Sequence, residues 1–350
     1  MKNRTSSLVF ALLALSLFSC KRHKYYRKDD GFATEVNYPV AFVVNGEGNS
    51  LALINLQNNM VKETYALKGG TFPHHIYMNT DKTMMAIAFT NMDLSGGHGA
   101  SHSAMSKYMV QVFNTTTGKH ITNIILKNMA HNAVFSPDGS ELWVGQASSD
   151  KSQVYVYDTK KWKCQKKIDV DKDLAEITFS KNGTKAYATN TGANNVSIIN
   201  VSDKNVVTTI TLGTTPVGAW PASNGKMYAD NEGTQTVSEI DVATNAVTAT
   251  INLGFKPGYV AYNDAKKELW VSDATNGKVV YYMLVANVWT VAGSILTGAD
   301  AHAIAFNNDE SKAYVTNQGA NSVSVIDVNT HLVTNTITVS NKPNGIAIKQ

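Results

Sequence analysis

The chain has 350 residues, 43% of them hydrophobic and 17% charged, with 31 Lys and Arg against 27 Asp and Glu and only two cysteines. That apolar content excludes a disordered chain, and two cysteines exclude a disulfide-built scaffold, so the fold must rest on its own core. The basic excess sits at the N-terminus: without Lys2, Arg4, Lys21, Arg22, Lys24, Arg27, Lys28, Asp29 and Asp30, 24 basic and 25 acidic residues remain, a near-neutral body that disfavours nucleic acid as a partner.

Met1-Lys2-Asn3-Arg4 and the apolar run from Leu8 to Leu17, too short to span a bilayer as a stable helix, predict a signal peptide over residues 1–19. Leu17-Phe18-Ser19-Cys20 resembles the lipobox of bacterial lipoproteins, with Phe18 an unusual filler. That resemblance implies acylation of Cys20 and a membrane as partner through a lipid anchor. The basic segment that follows predicts a tether over residues 20–37 lying on anionic headgroups. Lys21 stands where many inner-membrane lipoproteins have aspartate, so the expected address is the outer membrane of the cell envelope; Lys28-Asp29-Asp30 resembles a surface-export signal without deciding which side is occupied. Cys164 is the other cysteine, has no catalytic-type partner nearby in sequence, and is expected to be packed.

From residue 38 to 350 the chain repeats itself. Ala41-Phe42-Val43-Val44-Asn45, Ala186-Tyr187-Ala188-Thr189-Asn190, Met227-Tyr228-Ala229-Asp230-Asn231, Leu269-Trp270-Val271-Ser272-Asp273 and Ala313-Tyr314-Val315-Thr316-Asn317 are versions of one motif, joined by looser copies at Ile87 and Trp143. Seven copies of about forty residues, each with four short β-branched and aromatic segments between Asn, Gly, Asp and Ser turns, predict seven four-stranded antiparallel sheets and almost no helix. One such sheet is marginal alone, so the units must pack face to face around an axis: an all-β, seven-bladed β-propeller.

In chain order, the first strands predicted are Val40 to Asn45 and those near 50–56 and 61–67, with no innermost strand before them; the C-terminal Gly345-Ile346-Ala347-Ile348-Lys349 reads as an innermost strand with nothing after it. The C-terminal strand is therefore expected to join the N-terminal blade and close the ring, which removes an exposed edge. Blade 1 carries an insertion from Asp93 to Met105, blade 5 departs from the motif at Gly277 to Met283, and blade 6 is the clearest copy.

Tyr314-Val315-Thr316-Asn317, with Asn194 to Asn200 and Asn321 to Asp327, resembles the YVTN family of β-propeller repeats over residues 38–350. The Asn residues ending these motifs are expected to form turns. The wider group that the resemblance implies includes haem- and copper-binding members and nucleic-acid binders. Pro73-His74-His75 is only faintly similar to the paired histidines of nitrous oxide reductase, whose activity is not carried over.

Aligning the starts of the seven innermost strands puts His74, His131, His302 and Asn344 in one column, on blades 1, 2, 6 and 7, which form one arc at a channel mouth. The next column holds His75, Asn132 and Glu176. The insertion brings His98 and His102 to the same end, because in an up-and-down blade the loop into strand one and the loop from strand two to three emerge together. Imidazoles from several rigid strands are donors for copper or zinc. His74, His75, His131, His302, His98 and His102 are therefore candidate metal or ligand residues, with Asn344, Asn132 and Glu176 at the channel mouth; His120 and His331 are expected to be solvated. Glu176, Asp230, Asp273 and Asp300 sit near strand ends and could line a funnel, although most of these acids read as surface-turn residues. The expected function is a membrane-anchored binding or scaffold module taking a metal, small ligand or protein partner at this face. The alternative is a metal- or cofactor-dependent enzyme or electron-transfer component.

Overall fold

The computed structural model describes residues 31–94 and 107–350, so Cys20, His98 and His102 lie outside the described residues. Seven four-stranded antiparallel sheets form, and the innermost strand of the last, Pro343–Lys349, pairs with Val40–Asn45, closing the ring between the two ends of the chain. Blade 1 begins at Pro73–Met78, blade 3 at Leu174–Phe179, blade 4 at Pro216–Pro221, blade 5 at Pro257–Asn263 and blade 6 at Ala301–Phe306. Blade 2 starts with the shorter strand Ala133–Phe135. The one helical element described is a single 3-10 turn, Thr191–Ala193.

Burial follows radius. The second strands are almost wholly enclosed, as in Val40–Asn45 and Glu268–Asp273, because blades cover both of their faces; the outermost strands, such as Met60–Ala66, alternate exposed and half-buried residues. The apolar core is divided into seven clusters, each lying between two neighbouring blades. One of them joins Ala41, Val43 and Ile54 of blade 7 to Tyr314, Val323 and Val325 of blade 6. A blade has no core of its own, so closing the ring is what completes the last two of these layers.

The folded body begins before the boundary expected at residue 38. The Phe32 and Val36 amides donate to the Thr117 and Thr116 carbonyls at 2.9 and 2.8 Å, and the Phe32 ring packs edge-on against Tyr65. Cys164 corrects another expectation. It opens an outermost strand and is exposed, because that strand's outer face meets no further blade.

The motif asparagines divide into two kinds. Asn200 caps a turn as expected, accepting from the Ser202 amide at 2.9 Å. Asn45, Asn190, Asn231 and Asn317 instead are fully buried at the ends of second strands and reach across to the third strand. Asn317 donates to Ser322 Oγ and Ser324 Oγ at 3.1 and 3.0 Å, and Asn190 and Asn231 reach Ser197 and Ser238 in the same way. A carboxamide in this place satisfies hydroxyls that burial has cut off from water.

Candidate functional site

The innermost strands converge on the axis, and five of the seven carry a register shift between their first and fourth residues. In blade 1 the irregularity falls between Pro73 and Ile76, which bracket His74 and His75. A bulge breaks the alternation of faces, and here it lets two consecutive imidazoles turn inward; their ring centroids are 4.3 Å apart and both residues are buried. Gly345 permits blade 7 to come this close, since a Cβ there would stand 2.8 Å from the His74 carbonyl oxygen.

Two tiers result. The upper tier holds the predicted arc: His74 lies 5.5 Å from His131 and 6.4 Å from His302 between ring centroids, and the Asn344 carboxamide meets His74 Nδ1. The lower tier holds His75, Asn132 and Glu176, which are enclosed beneath the mouth. His75 Nε2 lies 2.9 Å from Glu176 Oε1, a close polar contact off the hydrogen-bond axis. Asn132 Nδ2 donates to Glu176 Oε2 at 3.2 Å and to the Ile177 carbonyl at 2.9 Å, while its Oδ1 accepts from the Ile177 amide at 3.1 Å. Tyr77 and Tyr259 line the channel below. Burial, and after it the nearby Glu176 charge, pushes the Tyr259 hydroxyl above the usual phenol range, and burial does the same to Tyr77, so both remain neutral hydrogen-bonding groups.

Above the upper tier opens a cavity of about 290 Å³ with His74 and His302 in its lining and Glu232, Lys256, Asp300 and Gln318 among its other polar groups. Lys256 Nζ is 3.2 Å from Glu232. Burial holds the Asp300 carboxyl above its ordinary range, partly offset by Lys342. Gly258 keeps one wall thin: a Cβ there would lie 3.3 Å from His302 Nδ1. Lys342, on the loop into blade 7, contacts Asp93 at the start of the blade 1 insertion, so these two loops do meet at the same end of the propeller.

Among the described residues, no three His, Cys, Asp or Glu side chains are placed to share a metal ion. Three of the acids near strand ends do not sit in surface turns: Glu176, Asp230 and Asp273 are 2%, 1% and 1% exposed, because neighbouring blades cover these strand ends. Asp230 accepts from the Gly218 amide at 2.9 Å and from Trp220 Nε1 at 3.3 Å. His331 also departs from expectation. It stacks on Tyr281 with centroids 4.0 Å apart and lies 2.9 Å from Glu268, far from the mouth; His120 is likewise half-buried, packed edge-on against Phe113 and bonded to Asn123. The cavity walls Glu232, Lys256, Thr275 and Gln318 were not singled out from sequence. Their signal is positional: Glu232 and Gln318 follow the motif asparagines, and Lys256 and Asp300 immediately precede first strands.

Fold and axis together define a closed seven-bladed propeller with a polar, histidine-lined cavity at one mouth. Residues 102–350 match the YNCE-like beta-propeller family, and the chain belongs to it. No curated protein matches the chain. Its fold is similar to that of the Pseudomonas aeruginosa periplasmic gluconolactonase PpgL, with a TM-score of 0.71 and 13% identity over 89% of this chain and 99% of that one. A candidate 6-phosphogluconolactonase from Bacteroides uniformis gives 0.69 and 12% over 89% and 99%. Hydrazine synthase of Kuenenia stuttgartiensis gives 0.69 and 17% over 82% and 92%. At these identities the likeness is one of fold.

Proposed function

We propose that the protein is a binding module whose mouth cavity takes a small polyhydroxylated ligand of the sugar-acid or sugar-lactone class. The observation that carries this is the cavity itself, about 290 Å³ with acceptors at Glu232 and Asp300 and donors at Lys256 and Gln318 above the buried His74 and His302. Its volume suits a molecule of monosaccharide size, and mixed, convergent donors and acceptors suit hydroxyl groups better than a purely apolar or a purely ionic ligand. The gluconolactonase name of one fold neighbour supplies the first compounds to try.

A second reading is hydrolysis of such a lactone. It is favoured by His302 and Asp300 lining one cavity, the latter a carboxyl held up by burial, which are groups suited to moving a proton to or from an attacking water. Thermal shift and calorimetry with gluconate, glucono-δ-lactone and their phosphorylated forms test binding, and pH-stat titration with the lactones tests turnover. Saturable binding without turnover supports the module; turnover lost in His302→Ala supports the enzyme; neither, across the panel, overturns the ligand class. Elemental analysis of the same preparation tests the copper or zinc expectation, and metal lost in a His74→Ala/His131→Ala/His302→Ala variant would place an ion on the arc.

A further inference from the structure

In six blades the turn between the third and fourth strands is polar and capped by its first residue. Asn55, Asn114, Asp158, Asn200, Asp241 and Asp327 each accept a hydrogen bond from a backbone amide two or three residues on. Blade 5 has Met283 at this position, paired with Glu268 as Asp241 is paired with Lys226. Its third and fourth strands, Lys278–Val285 and Val288–Leu296, run on past the second strand, with Leu284 facing Trp289 and Val285 facing Val288. Two residue pairs beyond the sheet amount to roughly 7 Å of projection. The tip closes through Ala286 and Asn287, both at positive φ as a type I′ turn requires.

The projecting hairpin is apolar. Met283, Leu284, Val285, Val288 and Val291 are between 43% and 63% exposed. Folding does not account for them, because six blades make the same turn with an Asn or Asp. The hairpin is also braced: Trp289 Nε1 donates to Glu239 of blade 4 at 2.8 Å, and the indole meets Tyr228 edge-on with centroids 5.7 Å apart.

Strand direction places this tip. Turns between third and fourth strands lie at the end opposite the histidine mouth, and the N-terminal chain joins the body at that same end: Gly31 is followed by Phe32, whose amide bonds to Thr117 in the corresponding turn of blade 1. The chain before it, residues 1–30, holds the apolar run, Cys20 and the basic residues. Ten residues, Lys21 to Asp30, separate Cys20 from the body, a reach of at most about 36 Å when extended.

We propose that the blade 5 hairpin, residues 283–291, is a membrane-docking element that dips into the bilayer to which the N-terminal segment holds the protein, so that the histidine mouth points away from the membrane. This rests on the membrane-anchor reading and adds an orientation to it. A projection of this height matches the depth to which interfacial elements bury apolar residues, and a second contact point turns a swinging tether into a fixed pose.

The test uses the full chain, purified from the membranes of a lipoprotein-processing bacterium and reconstituted in phosphatidylethanolamine/phosphatidylglycerol vesicles. In a Cys164→Ser background, an environment-sensitive dye is placed at Val288→Cys or, at the other end of the same strand, at Leu296→Cys. A blue shift and quenching by spin-labelled lipid at position 288 but not 296 is the expected result. Leu284→Ser/Val285→Ser is expected to reduce the quenching at 288 at least threefold. Equal, water-like emission at both positions in vesicle-bound protein would overturn the proposal, as would a shift at 288 that needs no lipid and grows with protein concentration, which would assign the hairpin to a second copy of the chain. Mass spectrometry of the mature N-terminus reports separately on acylation of Cys20. An unacylated chain whose tip still enters added vesicles supports the hairpin while removing the lipid anchor.

Discussion

The imidazole of His75 in blade 1 lies 2.9 Å from the carboxylate of Glu176 in blade 3, reaching past blade 2, whose Asn132 donates to the other carboxylate oxygen at 3.2 Å. Three blades are thus tied at the axis beneath the mouth. Removing one partner leaves the others enclosed without compensation, so Glu176→Ala is expected to cost about 1–3 kcal/mol in urea unfolding. His75→Ala with Glu176→Ala is expected to cost less than the two single changes added together; strict additivity would mean that the contact carries no coupling.

Asn317 makes the analogous tie within blade 6, to Ser322 and Ser324. Asn317→Ala is expected to destabilise by about 1–2 kcal/mol, and Ser324→Ala on top of it to cost little more, since that hydroxyl has then already lost one of its partners. An unchanged denaturation midpoint in the single variant would show that the buried carboxamide is dispensable.

Ring closure depends on Pro343–Lys349 covering Val40–Asn45. Deleting residues 343–350 exposes an apolar strand edge and opens the layers on both sides of blade 7. The expected outcome is loss of the monomer peak in size-exclusion chromatography with light scattering, in favour of soluble or precipitated aggregates. A monomer with wild-type cooperativity would contradict the closure argument.

Acid stability has a defined source in the outer turns. Backbone amides hold the Asp158, Asp241 and Asp327 carboxyls below their ordinary range, Asp241 at about 2, with Lys226 assisting there. A depressed folded-state pKa contributes stability that is present above the unfolded value, near 4, and is lost as pH falls toward the folded one. Asn55, Asn114 and Asn200 perform the same capping without charge. Asp158→Asn/Asp241→Asn/Asp327→Asn is therefore expected to flatten the fall in melting temperature between pH 4 and 2 while changing little at pH 7. A parallel fall in variant and wild type would refute this source.

The blade count, the closing strand and the histidine arc were legible because a repeat exposes its own register: one aligned column brought His74, His131, His302 and Asn344 together before any coordinates. What lay outside reach were departures from that register. The bulge that turns His74 and His75 to the same side cannot be seen in alternation, which assigns neighbours to opposite faces. The depth of Glu176 and Asp230 and the exposure of Cys164 depend on what neighbouring blades cover. Cavity walls such as Lys256 and Gln318 come from loops, where one column of the repeat carries different chemistry in each blade.

Calorimetric titration of gluconate and glucono-δ-lactone into the wild-type protein and into Lys256→Ala and Gln318→Ala variants tests the central claim most directly, since both side chains stand at the cavity and neither ties blades together at the axis. The account predicts one-to-one binding to the wild type, weakened about tenfold or more in each variant while its melting temperature stays within a few degrees. Binding of equal strength in all three proteins, or none to the wild type, would contradict it.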